Sequence, residues 1–417
     1  MTASPLLECR LCKAPLGPAV VDLGATPLAN SYLTPSQLFD PETYYPLQLH
    51  LCDSCALVQL PAVVPAEAIF SQYSYFSSFS TTLLKHCERF VEDVVPRLGL
   101  RPADLVMEIA SNDGYLLQYF RSAGLDVLGV EPAANVAAVA VEKGVPTVSR
   151  FFGRATAADL VKEGRRPRLL VANNVVAHVP DLNDFLAGMA LLLADDGTLS
   201  LEFHHLLSLV RHAQFDIIYH EHYQYFSLHT ITTALAAHGL TVVDAELLTT
   251  QGGSLRVYAR HAHHAGNPTP EAAERLASIR LAENEVCLAH PSTYHRLADA
   301  AAARKVELLS FLVDARKAKR KVVGFGAAAK GNTLLNYAGV SADWIDYCVD
   351  SSPHKQGLCL PGSRIPVLPP SRVADTQPDY LLILPWNLRD EVMGQMSHVR
   401  SWGGRFVVPA PALEVIA

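Results

Sequence analysis

Residues 104–114 read Asp-Leu-Val-Met-Glu-Ile-Ala-Ser-Asn-Asp-Gly, and this stretch decides the fold. An apolar strand that ends at an acidic residue, Glu108, and continues into a loop of small residues is the opening of a Rossmann-like unit. The full Gly-x-Gly-x-x-Gly fingerprint of dinucleotide sites is absent, because Ala110, Ser111 and Asn112 stand where its glycines would admit a pyrophosphate. The loop therefore favours a nucleoside cofactor without phosphates, such as S-adenosylmethionine.

The segments after this loop repeat the alternation of strand and helix. Strands are predicted at 104–109, 126–131, 168–173 and 197–203. Helical stretches between them indicate a parallel, doubly wound sheet. Glu131 ends the second strand, where a carboxylate can accept both hydroxyls of a ribose. The Phe151-Phe152 pair either covers an adenine ring or belongs to the core. The predicted cofactor-binding residues are Glu108, Asn112, Asp113, Glu131, Phe152 and Asn173.

Towards the C-terminus, residues 269–320 are rich in Ala, Leu, Glu and Arg, which predicts one or two long connecting helices. A second α/β alternation begins at residue 321. Lys330-Gly331-Asn332-Thr333 follows its first strand and opens a helix, where backbone N–H groups and the helix dipole favour a phosphate. The alternative is a purely structural turn. We predict that Lys330, Asn332 and Thr333 bind substrate there.

Two Cys-x-x-Cys pairs near the N-terminus match the knuckles of a tetrahedral zinc-thiolate site. The predicted ligands are Cys9, Cys12, Cys52 and Cys55, with 39 residues between the pairs. Since no His or carboxylate replaces a thiolate, we expect the site to be structural. The alternative is two unrelated reduced pairs.

Charge and hydropathy exclude several classes of function. The 34 Lys and Arg against 41 Asp and Glu give a formal charge of −7, without the basic footprint of a nucleic-acid or anionic-membrane binder. No apolar run approaches the roughly 20 residues that cross a bilayer. The N-terminus does not resemble a secretory signal. We expect a cytoplasmic protein with a small-molecule substrate.

Histidines cluster in the central part of the chain, at or after predicted strand ends. They include His178, His204-His205 and the run Tyr219-His220-Glu221-His222-Tyr223. Histidine titrates near neutrality, which suits it to move a proton. Two alternatives stay open at this point: a second metal bound by His-x-His with Glu221 or His178, and purely structural histidines.

Taken together, the motifs resemble the S-adenosylmethionine-dependent sugar C-methyltransferases that act on nucleotide-linked 4-keto-deoxyhexoses in antibiotic pathways. The resemblance covers essentially the whole chain. The motifs that carry it are CRLCKAPL with LCDSCALVQL, EIASNDGYLL, VEPAANVA, NNVVAHVPDLNDF, YHEHYQYFS, QGGSLRVY, and GFGAAAKGNTLLNY with YCVDSSPHKQG. One departure is Ala110, where the methyl-donor loop usually has Gly.

The resemblance implies an α/β chain with an N-terminal zinc-binding module, a Rossmann-like methyltransferase domain and a second, C-terminal Rossmann-like domain. The expected segments are a zinc-binding module at 1–66, a methyl-donor domain at 67–265, a helical connector at 266–320 and a nucleotide-sugar-binding domain at 321–417. The implied cofactors are S-adenosylmethionine and a structural zinc ion. The implied substrate is a dTDP-4-keto-deoxysugar.

The family's chemistry implies roles for individual residues. A base removes the proton next to the ketone, and the enolate carbon then takes the methyl group. His222 corresponds to the base, Tyr219 to a donor for the enolate oxygen, and Glu221 to the partner that orients the group. His178 and Tyr73 would line the same pocket, with Tyr75 in place of Tyr73 if the tyrosine pair is misaligned. The rival functions are an NAD-dependent sugar oxidoreductase or epimerase and a non-catalytic carbohydrate-binding protein.

Overall fold

The computed structural model describes residues 7–61, 64–65, 69 and 76–417. The chain forms two compact units. Unit 1 comprises Met1–Gly17, Leu51–Leu207 and Tyr223–Ala289, and unit 2 comprises Pro18–His50, Ser208–His222 and His290–Ala417. The division into four segments by residue number stays a prediction.

The secondary structure consists of strands, α-helices and short 3-10 turns. The described strands are β1 (Val21–Thr26), β2 (Tyr45–Leu51), β3 (Val58–Gln59), β4 (Leu105–Ile109), β5 (Asp126–Val130), β6 (Thr147–Val148), β7 (Leu169–Asn173), β8 (Thr198–His204), β9 (Gln224–Tyr225), β10 (Leu240–Leu248), β11 (Ser254–His261), β12 (Val322–Phe325), β13 (Cys348–Val349), β14 (Val367–Leu368), β15 (Tyr380–Ile383), β16 (Arg405–Val408) and β17 (Glu414–Ile416). The described helices are α1 (Thr81–Leu98), α2 (Leu117–Ser122), α3 (Ala134–Glu142), α4 (Arg154–Lys162), α5 (Leu182–Leu192), α6 (Leu206–Arg211), α7 (Leu228–Ala236), α8 (Pro270–Val286), α9 (Pro291–Lys317), α10 (Ala329–Ala338), α11 (Arg372–Thr376) and α12 (Arg389–Gln395).

Unit 1 is built on a seven-stranded sheet in the order β10-β11-β8-β7-β4-β5-β6. The strands from β6 to β8 are parallel, whereas β11 pairs antiparallel with both β8 and β10. The predicted parallel, doubly wound sheet is confirmed. Because the strand order reverses at β4, the carboxyl ends of β4 and β7 flank the crevice where such sheets bind ligands.

Both faces of this sheet are covered, which explains the nearly continuous apolar sequence of its strands. Val106 packs on one face with Phe90 of α1, while Met107 packs on the other with Phe185 of α5. Successive side chains of a strand point to opposite faces, so Glu108 shares the face of Val106. The sequence of β4 thus places one carboxyl group among apolar side chains.

Unit 2 contains a second parallel sheet, in the order β14-β13-β12-β15-β16-β17, with only β17 antiparallel to its neighbour. The predicted second α/β alternation is therefore confirmed. Its order reverses at β12, and α10 begins four residues after that strand. The connecting segment forms the two helices α8 and α9, interrupted at the left-handed residue Cys287.

The segment between the two cysteine pairs forms a hairpin in unit 2. Strands β1 and β2 pair antiparallel, with Val21 opposite Leu49. Among the described helices, none is long and apolar enough to cross a membrane.

A buried ion pair ties α1 to the antiparallel edge of the unit 1 sheet. Glu202 on β8 accepts hydrogen bonds from the guanidinium of Arg256 on β11 and, at 2.8 Å, from the hydroxyl of Thr250. Its carboxylate also lies 2.9 Å from Nε2 of His86 on α1. Arg256 also stacks on the ring of Phe90, 3.9 Å from its centroid. Burial disfavours the charged carboxylate, but Arg256, His86 and Thr250 outweigh burial and lower the pKa of Glu202 to about 2.

We predict that Glu202→Gln lowers the free energy of unfolding at pH 7 by an amount on the order of 3 kcal/mol, because Arg256 stays buried without its counter-charge. A lowered pKa stabilises the fold above the unfolded-state value and loses that effect on acidification. The difference from wild type should therefore shrink as the pH falls from about 5 towards about 2. Urea unfolding at several pH values measures this difference.

The matched control is Glu307→Gln, which removes a half-exposed carboxylate that pairs with Arg304 on the same helix. Such pairs contribute less than about 1 kcal/mol. Equal losses for the two variants would contradict the assignment of a stabilising buried pair to Glu202.

Candidate functional site

The four predicted zinc ligands come together in unit 1. Their sulfur atoms all lie within 4.8 Å of one another, with 3.5 Å between Cys9 and Cys55 and 3.5 Å between Cys12 and Cys52. Tetrahedral zinc with Zn–S bonds of about 2.3 Å places its sulfurs about 3.8 Å apart. The arrangement therefore fits one zinc ion with four thiolates and leaves no open position for a substrate.

Both cysteine pairs fold as the same turn. In the first, the amide of Lys13 donates to the carbonyl of Cys9, and Lys13 is left-handed with φ 63°. In the second, the amide of Ala56 donates to the carbonyl of Cys52, and Ala56 has φ 60°. The side-chain Nε2 of Gln59 further donates to Sγ of Cys9 at 3.2 Å, as groups around metal ligands commonly do.

We predict that the purified protein holds about one zinc ion per chain and that Cys52→Ser releases it, because three thiolates do not complete a closed site. Zinc content by atomic emission and the thermal midpoint should both fall. The control Cys287→Ser, at an exposed cysteine that ends α8, should keep the metal. A folded wild-type protein without metal would contradict the prediction.

The predicted methyl-donor loop lies at the carboxyl end of β4. Ala110, Asn112 and Gly114 all have positive φ, at 56°, 48° and 77°. The left-handed region costs a residue with a side chain about 1–2 kcal/mol, which explains why glycine is usual at the position of Ala110. Ala110 thus adopts the left-handed conformation that favours glycine, and it does so at an energetic cost.

Glu131 holds this loop in position. One of its carboxylate oxygens accepts the backbone N–H of Asn112 at 2.9 Å, and the other accepts that of Ala133 at 2.8 Å. Burial raises the pKa of Glu131, while these two N–H groups act in the opposite direction. The carboxylate predicted to bind a ribose therefore also orders the loop beside it.

Buried oxygen acceptors surround the crevice. In the described part of the chain, neither Oδ1 of Asp113 nor Oδ1 of Asn173 has a hydrogen-bond partner. Burial raises the pKa of Glu108 well above its usual range, although the hydroxyl of Tyr115 opposes the shift. Acceptors of this kind fit a ligand rich in donors, such as the ammonium and ribose hydroxyls of S-adenosylmethionine.

The remaining cofactor prediction concerns an aromatic residue. Phe152 is half-buried and packs edge-on against Phe185 of α5, with 5.5 Å between the ring centroids. Phe151 is exposed. Phe152 is thus in contact with the core, and its role towards adenine stays a prediction.

In unit 2, the rings of Tyr219 and His222 stack, with 4.1 Å between centroids and 33° between planes. Nδ1 of His222 lies 2.9 Å from the carbonyl oxygen of Ile217. A carbonyl only accepts, so Nδ1 carries the proton and the lone pair of the neutral ring is on Nε2. This tautomer is the one that a base acting through Nε2 requires.

Glu221 is buried, and Oε1 accepts the side-chain amide of Asn30 at 2.7 Å. Asn30 was not predicted, and neither was Tyr32, whose hydroxyl donates to the carbonyl of Ala327 at 2.6 Å. Burial, together with Asp350 and Glu221, raises the pKa of Tyr32 well above its usual range and keeps this donor protonated. Only folding reveals these residues, because they lie some 190 to 300 positions from their partners.

The predicted phosphate turn lies at the reversal point of the unit 2 sheet. Lys330 is buried, donates to Oδ1 of Asn387 at 3.2 Å, and has its ammonium 5.2 Å from the centroid of Trp386. Asn332 donates to the carbonyl of Ala29 at 2.6 Å, and the hydroxyl of Thr333 donates to its own helix. Of the three predicted substrate-binding side chains, Lys330 alone offers a positive charge.

Several histidines have contacts typical of structural residues. His205 and Glu283 form a buried pair at 2.7 Å, and Glu283 also accepts the N–H of Leu228 at the start of α7. Nε2 of His220 donates to the carbonyl of Pro46 at 3.1 Å, and burial lowers the pKa of His220. In the described part of the chain, the four-cysteine group is the only cluster of three or more His, Cys, Asp or Glu side chains that could hold a metal, and the His-x-His run is not part of such a cluster.

Two further predicted catalytic residues are His178 and Tyr73. His178 ends a 3-10 turn in unit 1, whereas Tyr219, Glu221 and His222 belong to one segment of unit 2. Tyr73 and the alternative Tyr75 lie outside the described residues.

Comparison with known proteins identifies the family. A family model described as "Putative zinc binding domain" matches residues 9–70, "Methyltransferase domain" matches 83–245, and "C-methyltransferase C-terminal domain" matches 249–411. The curated relative C-methyltransferase NovU of Streptomyces niveus is 36% identical over 413 residues, which cover 99% of this chain and 97% of NovU. The chain belongs to the S-adenosylmethionine-dependent C-methyltransferases.

Solved structures add little to this assignment. Magnesium protoporphyrin IX methyltransferase of Synechocystis PCC 6803 is 19% identical with a TM-score of 0.32, over 43% of this chain and 80% of that one. A SAM dependent methyltransferase of Archaeoglobus fulgidus is 13% identical with a TM-score of 0.35, over 42% and 93%. Similarity at these TM-scores is too low to define the fold, which the strand order of the chain shows directly.

Proposed function

We propose that this C-methyltransferase transfers a methyl group from S-adenosylmethionine to a carbon next to the 4-keto group of a dTDP-linked deoxysugar. The observation that carries the proposal is the His222 ring, protonated at Nδ1 by its bond to Ile217 and therefore basic at Nε2. The sugar class follows from the family resemblance, and the name of the relative NovU agrees with C-methylation.

The proposed reaction begins with proton abstraction. The ketone acidifies the neighbouring C–H, Nε2 of His222 takes that proton, and the electrons of the C–H bond form the enolate. The enolate carbon then forms a bond to the methyl group that S-adenosylmethionine would supply, and the methyl–sulfur bond breaks to leave the thioether S-adenosylhomocysteine. Carbon 3 and carbon 5 are both next to the ketone, and the same base chemistry serves either.

Further residues are proposed to stabilise the enolate. Tyr219, whose ring stacks on His222, donates to the enolate oxygen. Glu221, which accepts a hydrogen bond from Asn30, orients the catalytic group. Catalytic roles for His178 and Tyr73 belong to the same proposal. On the cofactor side, Glu131 is proposed to accept the ribose hydroxyls, with Glu108, Asn112, Asp113, Phe152 and Asn173 around the rest of the cofactor.

Lys330 is proposed to attract the diphosphate of the substrate. Burial lowers the pKa of Lys330 to about 8, with Asp216 opposing the shift, so the side chain is mostly positive at pH 7. The first turn of α10 has no side-chain cap, so its backbone N–H groups add to the attraction. A local positive site of this kind lets an acidic protein bind an anionic nucleotide.

The proposed activity predicts that one member of a panel of dTDP-4-keto-deoxysugars gains a single methyl group, located by mass spectrometry and NMR. His222→Asn should lower kcat by at least about 10²-fold, because the amide replaces the base. Affinity for S-adenosylmethionine should not change. The control His212→Asn, at an exposed histidine, should retain wild-type turnover, and activity in His222→Asn would assign the base elsewhere.

The cofactor assignment predicts that Glu131→Ala weakens binding of S-adenosylmethionine by at least about tenfold, since both the ribose acceptor and the support of the Asn112 loop are lost. Titration calorimetry with the cofactor alone measures this effect. Glu142→Ala, which removes an exposed carboxylate at the end of α3, is the control. Unchanged affinity in Glu131→Ala would remove the ribose assignment.

A further inference from the structure

The carbonyl that fixes the tautomer of His222 belongs to a buried 3-10 turn, Phe215–Ile217. All three residues of the turn are at most 2% exposed. The turn is closed by the amide of Ile218, which donates to the carbonyl of Phe215 at 3.0 Å. Its central residue is Asp216, a carboxylate that the proposed reaction does not use. An ionisable side chain buried this deeply needs a compensating partner.

That partner is an indole from a distant part of unit 2. Nε1 of Trp386 donates to Oδ2 of Asp216 at 2.6 Å. The same indole ring faces the ammonium of Lys330, 5.2 Å from its centroid. Burial raises the pKa of Asp216, and both Lys330 and the Trp386 N–H counteract the shift. Trp386 therefore contacts two opposite charges, one on the turn beside His222 and one on the phosphate turn.

The segment that carries Trp386 packs closely against the start of α10. Trp386 follows β15, whose carboxyl end lies beside that of β12 at the reversal of strand order. A Cβ atom on Gly331 would come within 2.7 Å of Cβ of Leu384, and one on Gly326 within 2.4 Å of Pro385. Since real Cβ atoms do not approach so closely, the glycines allow the start of α10 to lie against the segment that carries Trp386. The backbone that leads into Trp386 is thus closely packed against the start of α10.

We propose that Asp216 and Trp386 are positioning residues for the base: the Trp386 N–H holds Asp216, and Asp216 holds the turn whose Ile217 carbonyl keeps His222 protonated at Nδ1. The inference rests on the proposed role of His222. Both residues act through the turn, by way of the hydrogen bond between them. If the turn shifts, Nδ1 loses the Ile217 acceptor, and the proton can move to Nε2. The lone pair then lies on Nδ1, and Nε2 no longer acts as the base. A displacement of about 1 Å at a catalytic group can cost on the order of 10²-fold in rate.

The decisive comparison is Trp386→Phe against Trp402→Phe, in the full-length protein. The first removes the N–H to Asp216 but keeps an aromatic face under Lys330. The second removes an N–H that donates to the carbonyl of Pro378 at 3.0 Å, elsewhere in the same unit. We expect Trp386→Phe to lower kcat on the order of 10²-fold with the KM for both substrates near wild type, and Trp402→Phe to change neither.

The tautomer of His222 gives a readout that needs no substrate. In ¹⁵N-histidine-labelled protein, the His222 signals are assigned by their absence in His222→Asn. The wild type should show protonation at Nδ1, and Trp386→Phe should show protonation at Nε2 or a mixture. Asp216→Asn keeps an oxygen acceptor for the indole and should retain the wild-type tautomer, whereas Asp216→Ala should lose it.

The two proposals fail in different ways. If wild-type enzyme methylates no 4-keto sugar nucleotide, the proposed function is wrong, and the tautomer in Trp386→Phe alone decides whether the turn positions the ring. If wild type is active and Trp386→Phe keeps both its kcat and the Nδ1-protonated ring, the positioning role is wrong. If Asp216→Ala does not fold, Trp386→Phe still decides, since Phe occupies most of the indole volume.

Discussion

In both sheets, a carboxylate at the end of one parallel strand accepts a backbone N–H of the loop at the end of its neighbour, and this hydrogen bond holds the loop in position. In unit 1, Glu131 after β5 accepts the N–H of Asn112 in the loop after β4. In unit 2, Asp350 after β13 accepts the N–H of Ala327 in the loop after β12, at 2.8 Å. Carboxyl ends of parallel strands share one edge of a sheet, which places the carboxylate of one strand next to the loop of its neighbour in both units.

The likeness between the units extends to the order of their five parallel strands. The series β6-β5-β4-β7-β8 has the same sequence of connections as β14-β13-β12-β15-β16, and each ends next to an antiparallel strand. The two reversal points nevertheless differ in chemistry. The crevice of unit 1 has buried oxygen acceptors, whereas the crevice of unit 2 has the ammonium of Lys330 beside Trp386. One topology thus provides an acceptor-rich site and a cationic site in the same chain.

The four zinc ligands bracket a segment of the chain that belongs to the other unit. The ligands belong to unit 1, yet the segment 18–50 between the cysteine pairs belongs to unit 2. That segment supplies Asn30 to Glu221 and Tyr32 to Ala327, through hydrogen bonds of 2.7 and 2.6 Å. The residues that the two cysteine pairs bracket in the sequence thus contribute hydrogen bonds to Glu221 and Ala327 within unit 2.

The sequence by itself determined the features that depend on local pattern: the strands 104–109, 126–131, 168–173 and 197–203, the second α/β alternation, the two connecting helices and the cysteine pairs. Periodicity and short spacings are properties of neighbouring residues, so they can be recognised in the sequence without knowledge of the tertiary structure. The resemblance to a family, carried by motifs in order, supplied the roles proposed for Tyr219, Glu221 and His222.

Only the tertiary structure decided which histidine has which partner. His220 and His222 are two residues apart and chemically identical, yet one donates to Pro46 and the other to Ile217. The contacts of Glu221 with Asn30 and of Asp216 with Trp386 join residues 191 and 170 positions apart. No pattern of neighbours encodes such pairs, because their geometry arises from the order of strands in a sheet and the close packing of backbone at its edge.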